Sequence, residues 1–215
     1  MTDFLYPFIE GGERDVVALL DDLAASAAAK ATVSVDLRTA TLEREGAALG
    51  EAAARMAERF ERGGRLFAFG NGGSATDAAG ITALFAHPPY GRALPAQNLA
   101  DDPAVLTALG NDVGFDLVFS RQLIAYGRSD DIAFGISTSG TSRNVMTAFE
   151  EGGRRGMLTV GMAGYSGGTM MTAGLDHCLV VHSDSVHRVQ ETQAALAFAL
   201  WTAVGAALAP GDPDG

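Results

Sequence analysis

Residues 131–142, with the sequence DIAFGISTSGTS, combine an apolar run with a loop of small polar residues. The apolar run to Ile136 is typical of a buried strand, because such strands are short, continuous and bounded by turn residues. The serine- and glycine-rich remainder opens a helical pattern that continues to Arg155. This segment therefore predicts a strand, a loop and a helix in succession.

The same succession recurs on both sides of that segment. Strands are predicted at residues 65–69, 96–99, 131–136, 157–162 and 178–181, with helical spacing between most of them. Strands that alternate with helices predict a parallel sheet covered on both faces. Upstream, residues 16–62 have helical spacing until Gly63 and Gly64, and we expect two long helices that break near residues 31–34. The sequence predicts one α/β domain over residues 1–215, a three-layer sandwich around a five-stranded parallel sheet, with residues 1–63 as a helical extension.

Composition narrows the class of protein. With 47% apolar and 19% charged residues, the 215-residue chain is typical of a globular domain. A net charge of −11 argues against binding to nucleic acid or to an anionic membrane. Cys178 is the only cysteine, so we expect no disulfide framework and a cytoplasmic location, and acidic residues near the start argue against a secretion signal. Lys30 is the only lysine, which disfavours Schiff-base and pyridoxal-phosphate chemistry.

Two loops at the carboxyl ends of predicted strands contain glycines and hydroxyl side chains. Residues 70–74 (GNGGS) follow the first strand, and residues 137–142 (STSGTS) follow the third. Ligands of open parallel sheets bind at this edge, and the free amides at the start of each following helix attract anions. Turn and cap formation explains such residues in one loop, but less readily in two equivalent loops. Together the loops predict a cradle for a phosphate monoester that uses no lysine or arginine.

The first loop also fits the dinucleotide fingerprint Gly-x-Gly-x-x-Ala, at Gly70, Gly72 and Ala75. The ribose-binding acid expected about twenty residues downstream is missing, since Asp101 and Asp102 lie about thirty residues away. A nicotinamide-dependent oxidoreductase is therefore the weakest function considered, and we expect no cofactor.

Five motifs occur in the order and spacing of sugar isomerase (SIS) domains. They are residues 69–74 (FGNGGS), 110–115 (GNDVGF), 135–140 (GISTSG), 167–168 (GG) and 188–191 (RVQE). Over about residues 35–205 the chain resembles this family, and within it the phosphoheptose isomerases, which interconvert sedoheptulose 7-phosphate and a heptose 7-phosphate. The resemblance implies phosphate binding by Gly72, Ser74, Ser137, Thr138, Ser139 and Ser142, and contact with the sugar by Asn71, Asp102 and Gln190.

The zinc-binding positions of zinc-dependent members differ in this chain. By the resemblance, those members have a histidine, a glutamate, a glutamine and a second histidine where this chain has Gly80, Leu84, Gln190 and Phe198. Glycine, leucine and phenylalanine side chains supply no ligand atom for zinc. We therefore expect no metal site, and any isomerase activity is expected to be independent of zinc.

Aldose–ketose isomerisation still needs an acid and a base. The candidate catalytic residues are His187, Glu191 and Gln190, with His187 and Glu191 as the candidates for proton transfer. His87 and His182 are further histidines considered for that role. For each of them a structural role is the more common explanation. Two functions therefore stay open. One is a zinc-independent sugar-phosphate isomerase, and the other is a non-catalytic module that senses a sugar phosphate and binds a partner protein, as some metal-free relatives do in bacterial replication control.

Apolar surface in the helical segments predicts association of the chain with itself. The helices before Gly64 and the Ala-rich residues 194–208 have more apolar surface than one small sheet covers. We expect a homo-oligomer, a dimer or a tetramer, and the resemblance implies a tetramer with active sites shared between subunits.

Overall fold

A five-stranded parallel sheet forms the centre of the computed structural model, which describes residues 16–209. The strands are β1 (Leu66–Gly70), β2 (Ala96–Asn98), β3 (Ile132–Ser137), β4 (Leu158–Gly164) and β5 (His177–Val181). They lie in the order β2-β1-β3-β4-β5, and every neighbouring pair is parallel. The predicted five-stranded parallel sheet is confirmed, and each strand lies within two residues of its predicted bounds.

Between residues 16 and 209, six α-helices cover the two faces of the sheet. They are α1 (Val16–Glu61), α2 (Gly73–Ala86), α3 (Pro103–Asp112), α4 (Val118–Tyr126), α5 (Arg143–Arg154) and α6 (Val186–Ala207). Alternate residues of β1 point to opposite faces: Leu66 and Ala68 pack under α1, α2 and α6, whereas Phe67 and Phe69 pack under α4 and α5. The three-layer sandwich predicted from the alternating pattern is therefore confirmed.

The prediction of two helices before Gly63 was wrong, because α1 is one continuous helix of 46 residues. The expected break at residues 31–34 contains no glycine or proline, and threonine, valine and serine lower helix stability by only a few tenths of a kcal/mol each. The hydroxyls there also find partners: Thr32 donates to the Ala28 carbonyl at 3.2 Å and Ser34 donates to Glu191 at 2.7 Å. The predictions of a helical extension over residues 1–63 and of one domain over residues 1–215 reach residues 1–15 and 210–215, which lie outside the described residues.

Helix α1 extends well beyond the sheet. Ser34 contacts Glu191 at the start of α6, after the carboxyl end of β5, whereas Arg59 donates to the Ser129 carbonyl before the amino end of β3. Residues 17–33 therefore project past the carboxyl edge of the sheet, and all of them are exposed, including Val17 and Leu20. Among residues 16–209, no helix is both long and apolar enough to cross a membrane.

Candidate functional site

The chain reverses its direction of travel across the sheet between β1 and β3. Strand β2 follows β1 on one side, and β3 then pairs with β1 on the other side. In open α/β sheets such a switch point leaves a crevice at the carboxyl ends of the two strands. Gly70 brings the following loops together there, because a Cβ at this position would lie 2.6 Å from the Ser74 carbonyl oxygen and 2.9 Å from that of Ile136.

Three serine hydroxyls converge at the end of β3. The Oγ atom of Ser137 lies 3.0 Å from that of Ser142 and 3.4 Å from that of Ser139. The loop curls around these hydroxyls, because the Gly140 amide donates to Ser137 Oγ at 3.2 Å and the Thr141 hydroxyl donates to Ser139 Oγ at 3.0 Å. Three of the four predicted hydroxyls of this loop are therefore gathered into one cluster, which we call the serine cluster (Ser137, Ser139 and Ser142), and a role of the Thr138 hydroxyl stays a prediction.

A second glycine-rich loop, at residues 167–168, packs against the loop of the serine cluster. Gly140 has φ +64°, and a Cβ there would lie 2.0 Å from the Gly167 carbonyl oxygen, so only glycine fits without strain. The Gly140 carbonyl in turn accepts from the Met170 amide at 2.9 Å and from the Thr169 hydroxyl at 3.0 Å. The GG motif at residues 167–168 thus acts by close backbone contact with the serine cluster loop.

The loop after β1 begins α2 beside the serine cluster. Gly72 has φ +53°, α2 starts at Gly73, and Ser74 is buried in its first turn. The side chain of Asn71 forms two hydrogen bonds of 2.8 Å with Asn144 of α5, one in each direction. Sequence reasoning missed Asn144, although its place two residues after Ser142, in the first turn of α5, was a usable signal.

Gln190 joins this site from the start of α6. Its Nε2 atom donates to Asp77 Oδ2 at 3.3 Å, and its amide lies against Gly73, where a Cβ would be 2.0 Å from Nε2. Burial raises the pKa of Asp77 above its usual value, and the hydrogen bond from Gln190 partly opposes that effect. Asp77 was also missed by sequence reasoning, although it lies one helical turn after Ser74.

With this geometry in place, comparison with known proteins identifies the family. A family model described as the SIS domain matches residues 31–164, which is more than half of the chain. The chain belongs to the SIS domain family. The resemblance inferred from the five motifs is therefore confirmed.

Similar SIS-domain proteins are phosphoheptose isomerases. The enzyme of Roseiflexus sp. (strain RS-1) is 42% identical over 168 residues, which are 76% of this chain and 84% of that protein. Among solved structures, phosphoheptose isomerase from Neisseria gonorrhoeae has a TM-score of 0.80 at 34% identity, covering 86% of this chain and 99% of that chain. The one from Francisella tularensis has a TM-score of 0.79 at 30% identity, covering 87% and 98% of the two chains.

The three candidate catalytic residues at the start of α6 point in different directions. Gln190 points to α2, as described, whereas His187 is exposed on the first turn of α6. Glu191 points to α1, where its carboxylate accepts from Ser34 at 2.7 Å and pairs with Arg188. The hydrogen bond from Ser34, together with Arg188 and the charge of Arg38, lowers the pKa of Glu191 and outweighs the opposing effect of burial. The structure does not bring Glu191 and Gln190 together, and proton transfer by His187 or Glu191 stays a prediction.

Asp102 precedes α3 as its N-cap residue, and it lines a cavity that none of the serine cluster residues lines. Its Oδ1 atom caps that helix by accepting from the Ala104 amide at 2.9 Å and the Val105 amide at 3.1 Å. It lines a cavity of about 530 Å³ together with His87 of the α2 end. This cavity lies between α2 and β2. The contact of Asp102 with the sugar stays a prediction, and a sugar that reached Asp102 would have to enter this cavity.

Three of the residues that the resemblance places at the zinc positions of zinc-dependent members have no side-chain atom that fits a zinc ion. Gly80 is exposed on α2 with open space around it, and Leu84 packs against the apolar core. Phe198, 47% exposed, stacks on Trp201 with ring centroids 5.3 Å apart. Between residues 16 and 209, no three or more histidine, cysteine, aspartate or glutamate side chains form a group that could hold a metal ion. Gln190, at the fourth position, donates a hydrogen bond to Asp77.

Proposed function

We propose that this chain is an aldose–ketose isomerase of the phosphoheptose isomerase type, acting on sedoheptulose 7-phosphate or a related sugar phosphate. The observation that supports it is the serine cluster at the switch point, beside the amino end of α2, in a chain 42% identical to a phosphoheptose isomerase over 76% of its length. A phosphate monoester needs several hydrogen-bond donors and a favourable helix dipole, and both meet at this edge of the sheet.

Phosphate binding in the proposal uses neutral donors. Ser74, Ser137, Thr138, Ser139 and Ser142, with the backbone at Gly72, would surround the phosphate oxygens. Each hydrogen bond to a charged group contributes about 1.5–3 kcal/mol. Asn71, Asp102 and Gln190 would contact the sugar, and no metal or other cofactor takes part.

Proton transfer in the proposal is independent of zinc, because three of the four family positions hold Gly80, Leu84 and Phe198. His187 and Glu191 are the proposed proton-transfer groups, with Gln190 beside the substrate. The same three replacements favour a second candidate, a non-catalytic module that binds a sugar phosphate and reports it to a partner protein. The two candidates share the phosphate site and differ only in turnover.

The test measures binding and turnover with sedoheptulose 7-phosphate. In calorimetry, Ser139→Ala should weaken binding of the sugar phosphate by roughly tenfold or more, whereas Ser129→Ala, an exposed serine remote from the site, should not. Turnover that persists with a chelator supports the zinc-independent isomerase. Tight binding without turnover supports the sensing module, and unchanged affinity in Ser139→Ala removes the phosphate site from the proposal.

We further infer that the chain forms a single domain that assembles as a cytoplasmic homo-oligomer, a dimer or a tetramer. The projecting part of α1 exposes the apolar side chains of Val17, Leu20, Leu23 and Val33. Exposure of several apolar side chains to water is unfavourable, and a neighbouring subunit would cover them. Light scattering at micromolar concentration should give a mass well above the 22.2 kDa of one chain. A mass near 22.2 kDa would contradict the inference.

A further inference from the structure

The side-chain amide of Gln190 is enclosed by two residues of α2. Its Nε2 atom lies 3.3 Å from Asp77 Oδ2, and both amide heteroatoms lie against Gly73, within 3.0 Å of where a Cβ would be. Gly73 and Asp77 lie one turn apart on the same face of α2, and both contact Nε2, whereas Oε1 lies further from the Gly73 Cβ position, at 3.0 Å. Any side chain larger than that of glycine at residue 73 would expel the amide from this place.

The next residue of α6, Glu191, contacts a different neighbouring helix. Glu191 binds Ser34 of α1 at 2.7 Å and pairs with Arg188. Because Glu191 faces α1 while Gln190 faces α2, the start of α6 is fixed in rotation between its two neighbours. The position of the Gln190 amide is therefore set by packing, and only the choice of which amide atom faces Asp77 remains.

The carboxylate of Asp77 determines which atom of the Gln190 amide faces it. An ionised carboxylate only accepts hydrogen bonds, whereas a glutamine amide has a donor NH₂ and an acceptor oxygen. The NH₂ group must therefore face Asp77, and the acceptor Oε1 is left for a ligand. Since Gly73 precedes Ser74, a group attached to a phosphate at Ser74 comes near this amide.

We propose that Asp77 is a positioning residue, which orients Gln190 so that Oε1 accepts a hydrogen bond from a hydroxyl group of a bound sugar phosphate. This inference rests on the proposed function, because it assumes that the phosphate binds at the serine cluster. Asp77 thereby selects polyhydroxylated phosphates over phosphate itself. In this chain Gln190 accepts a hydrogen bond from a sugar hydroxyl, although the resemblance places it at a zinc-binding position of zinc-dependent members.

The test compares two ligands that share a phosphate and differ in hydroxyl groups. Calorimetry is done with inorganic phosphate and with sedoheptulose 7-phosphate on the full chain, Asp77→Ala and Asp77→Asn. Asp77→Ala frees the amide to rotate, so its affinity for the sugar phosphate should fall by about threefold to tenfold while its affinity for phosphate stays unchanged. Asp77→Asn should keep the affinity of the unchanged chain, because an asparagine oxygen can still accept from Gln190 Nε2.

A control variant and a spectroscopic measurement separate positioning from folding. Glu150→Ala removes an exposed carboxylate from α5 and should change neither affinity. In ¹⁵N-labelled protein without ligand, the side-chain amide resonances of Gln190 should move in Asp77→Ala and less in Asp77→Asn. If Asp77→Ala does not fold, Asp77→Asn and Gln190→Ala are compared in the same way, and Gln190→Ala should lose only the preference for the sugar phosphate.

The remaining outcomes distinguish failure of this inference from failure of the proposed function. An equal loss of phosphate and sugar-phosphate affinity in Asp77→Ala overturns the inference in favour of a structural role. Asp77→Asn that binds normally but loses turnover overturns it in favour of a direct role in proton transfer. An unchanged chain that prefers the sugar phosphate but shows no turnover contradicts the isomerase and leaves the inference standing. Failure to bind inorganic phosphate at the serine cluster contradicts both.

Discussion

The side-chain amides of Asn71 and Asn144 donate to each other's oxygen atoms at 2.8 Å in both directions. This pair joins the loop after β1 to the first turn of α5, and so connects the two halves of the proposed phosphate site. Asn144 is buried, and its Oδ1 atom also accepts from the Val145 amide at 3.0 Å. The relative position of the two loops is therefore maintained by side chains as well as by the sheet.

Asn144→Ala should weaken phosphate binding and lower the stability of the fold. The substitution leaves the Asn71 amide without its partner in a partly buried place, which costs about 1–3 kcal/mol. Calorimetry with inorganic phosphate and thermal unfolding measure the two effects. Asn111→Ala, which changes an exposed asparagine of α3, serves as the control. Unchanged affinity and unchanged Tm in Asn144→Ala would show that the loops do not depend on the amide pair.

Gly140→Ala should disrupt the serine cluster. The new Cβ would lie 2.0 Å from the Gly167 carbonyl oxygen, and φ +64° is unfavourable for alanine. We expect a loss of stability of more than about 2 kcal/mol, measured by denaturant unfolding, together with loss of phosphate binding. Gly153→Ala is the matched control: it lies in α5 with open space around it and should stabilise the protein by up to about 1 kcal/mol. Equal stability of the two variants would be inconsistent with this account of the loop contact.

Asp176 should make the stability of the fold depend on pH in the acid range. Partial burial is the largest single effect and would raise its pKa, but the Thr159 amide and hydroxyl, each donating at 2.8 Å, together with the charges of Arg55 and His177, lower the pKa below 3.8. A lowered folded-state pKa contributes stability that is fully present above the unfolded-state value of 3.8 and is lost as the pH falls through the folded-state value.

Asp176→Asn tests this dependence by unfolding at several pH values. At pH 7 the variant should be less stable by about 1 kcal/mol, since the site is exposed to solvent, and the difference should shrink below pH 3.8. Asp112→Asn, an exposed aspartate of α3, should show no such convergence. A difference that is independent of pH would mean that the charge of Asp176 contributes nothing to stability.

Cys178 should be unreactive toward thiol reagents in the folded protein near neutral pH. Burial in β5, with a smaller contribution from Glu45, raises its pKa to about 11, and the thiolate is the reactive form. Labelling by a disulfide reagent at pH 8 should therefore be slow for the folded protein and fast after unfolding in denaturant. Rapid labelling of the folded protein at pH 8 would contradict the burial of this thiol.

The pattern of apolar and turn residues along the chain was sufficient to predict much of the fold. Each strand is a short apolar run that ends in turn residues, so β1, β3 and β4 could be located from neighbouring residues alone. The serine cluster was predictable for the same reason, because Ser137, Ser139 and Ser142 belong to one loop. The missing zinc ligands were also a matter of residue type, since glycine, leucine and phenylalanine have no atoms that bind zinc.

Where local propensity was weak, the sequence was misleading. The run of alanine, threonine, valine and serine at residues 31–34 predicted a break, yet Ser34 instead contacts Glu191, 157 residues away. That contact supports the helix where propensity does not, and it also turns Glu191 from the substrate side toward α1. Helix stability in proteins comes mostly from such tertiary packing.

The sequence by itself determined the succession of strands and helices after Gly64 and the loop with the serine cluster, because each depends on residues close together in the chain. It also determined that Gly80, Leu84 and Phe198 supply no zinc ligand, because that depends on residue type alone. Only the tertiary structure decided which polar groups face one another. Asn71 meets Asn144 across 73 residues, and Asp77 meets Gln190 across 113. No local period specifies these pairs, because they form only when the parallel sheet brings the carboxyl ends of separate strands, and the helices that follow them, to one edge.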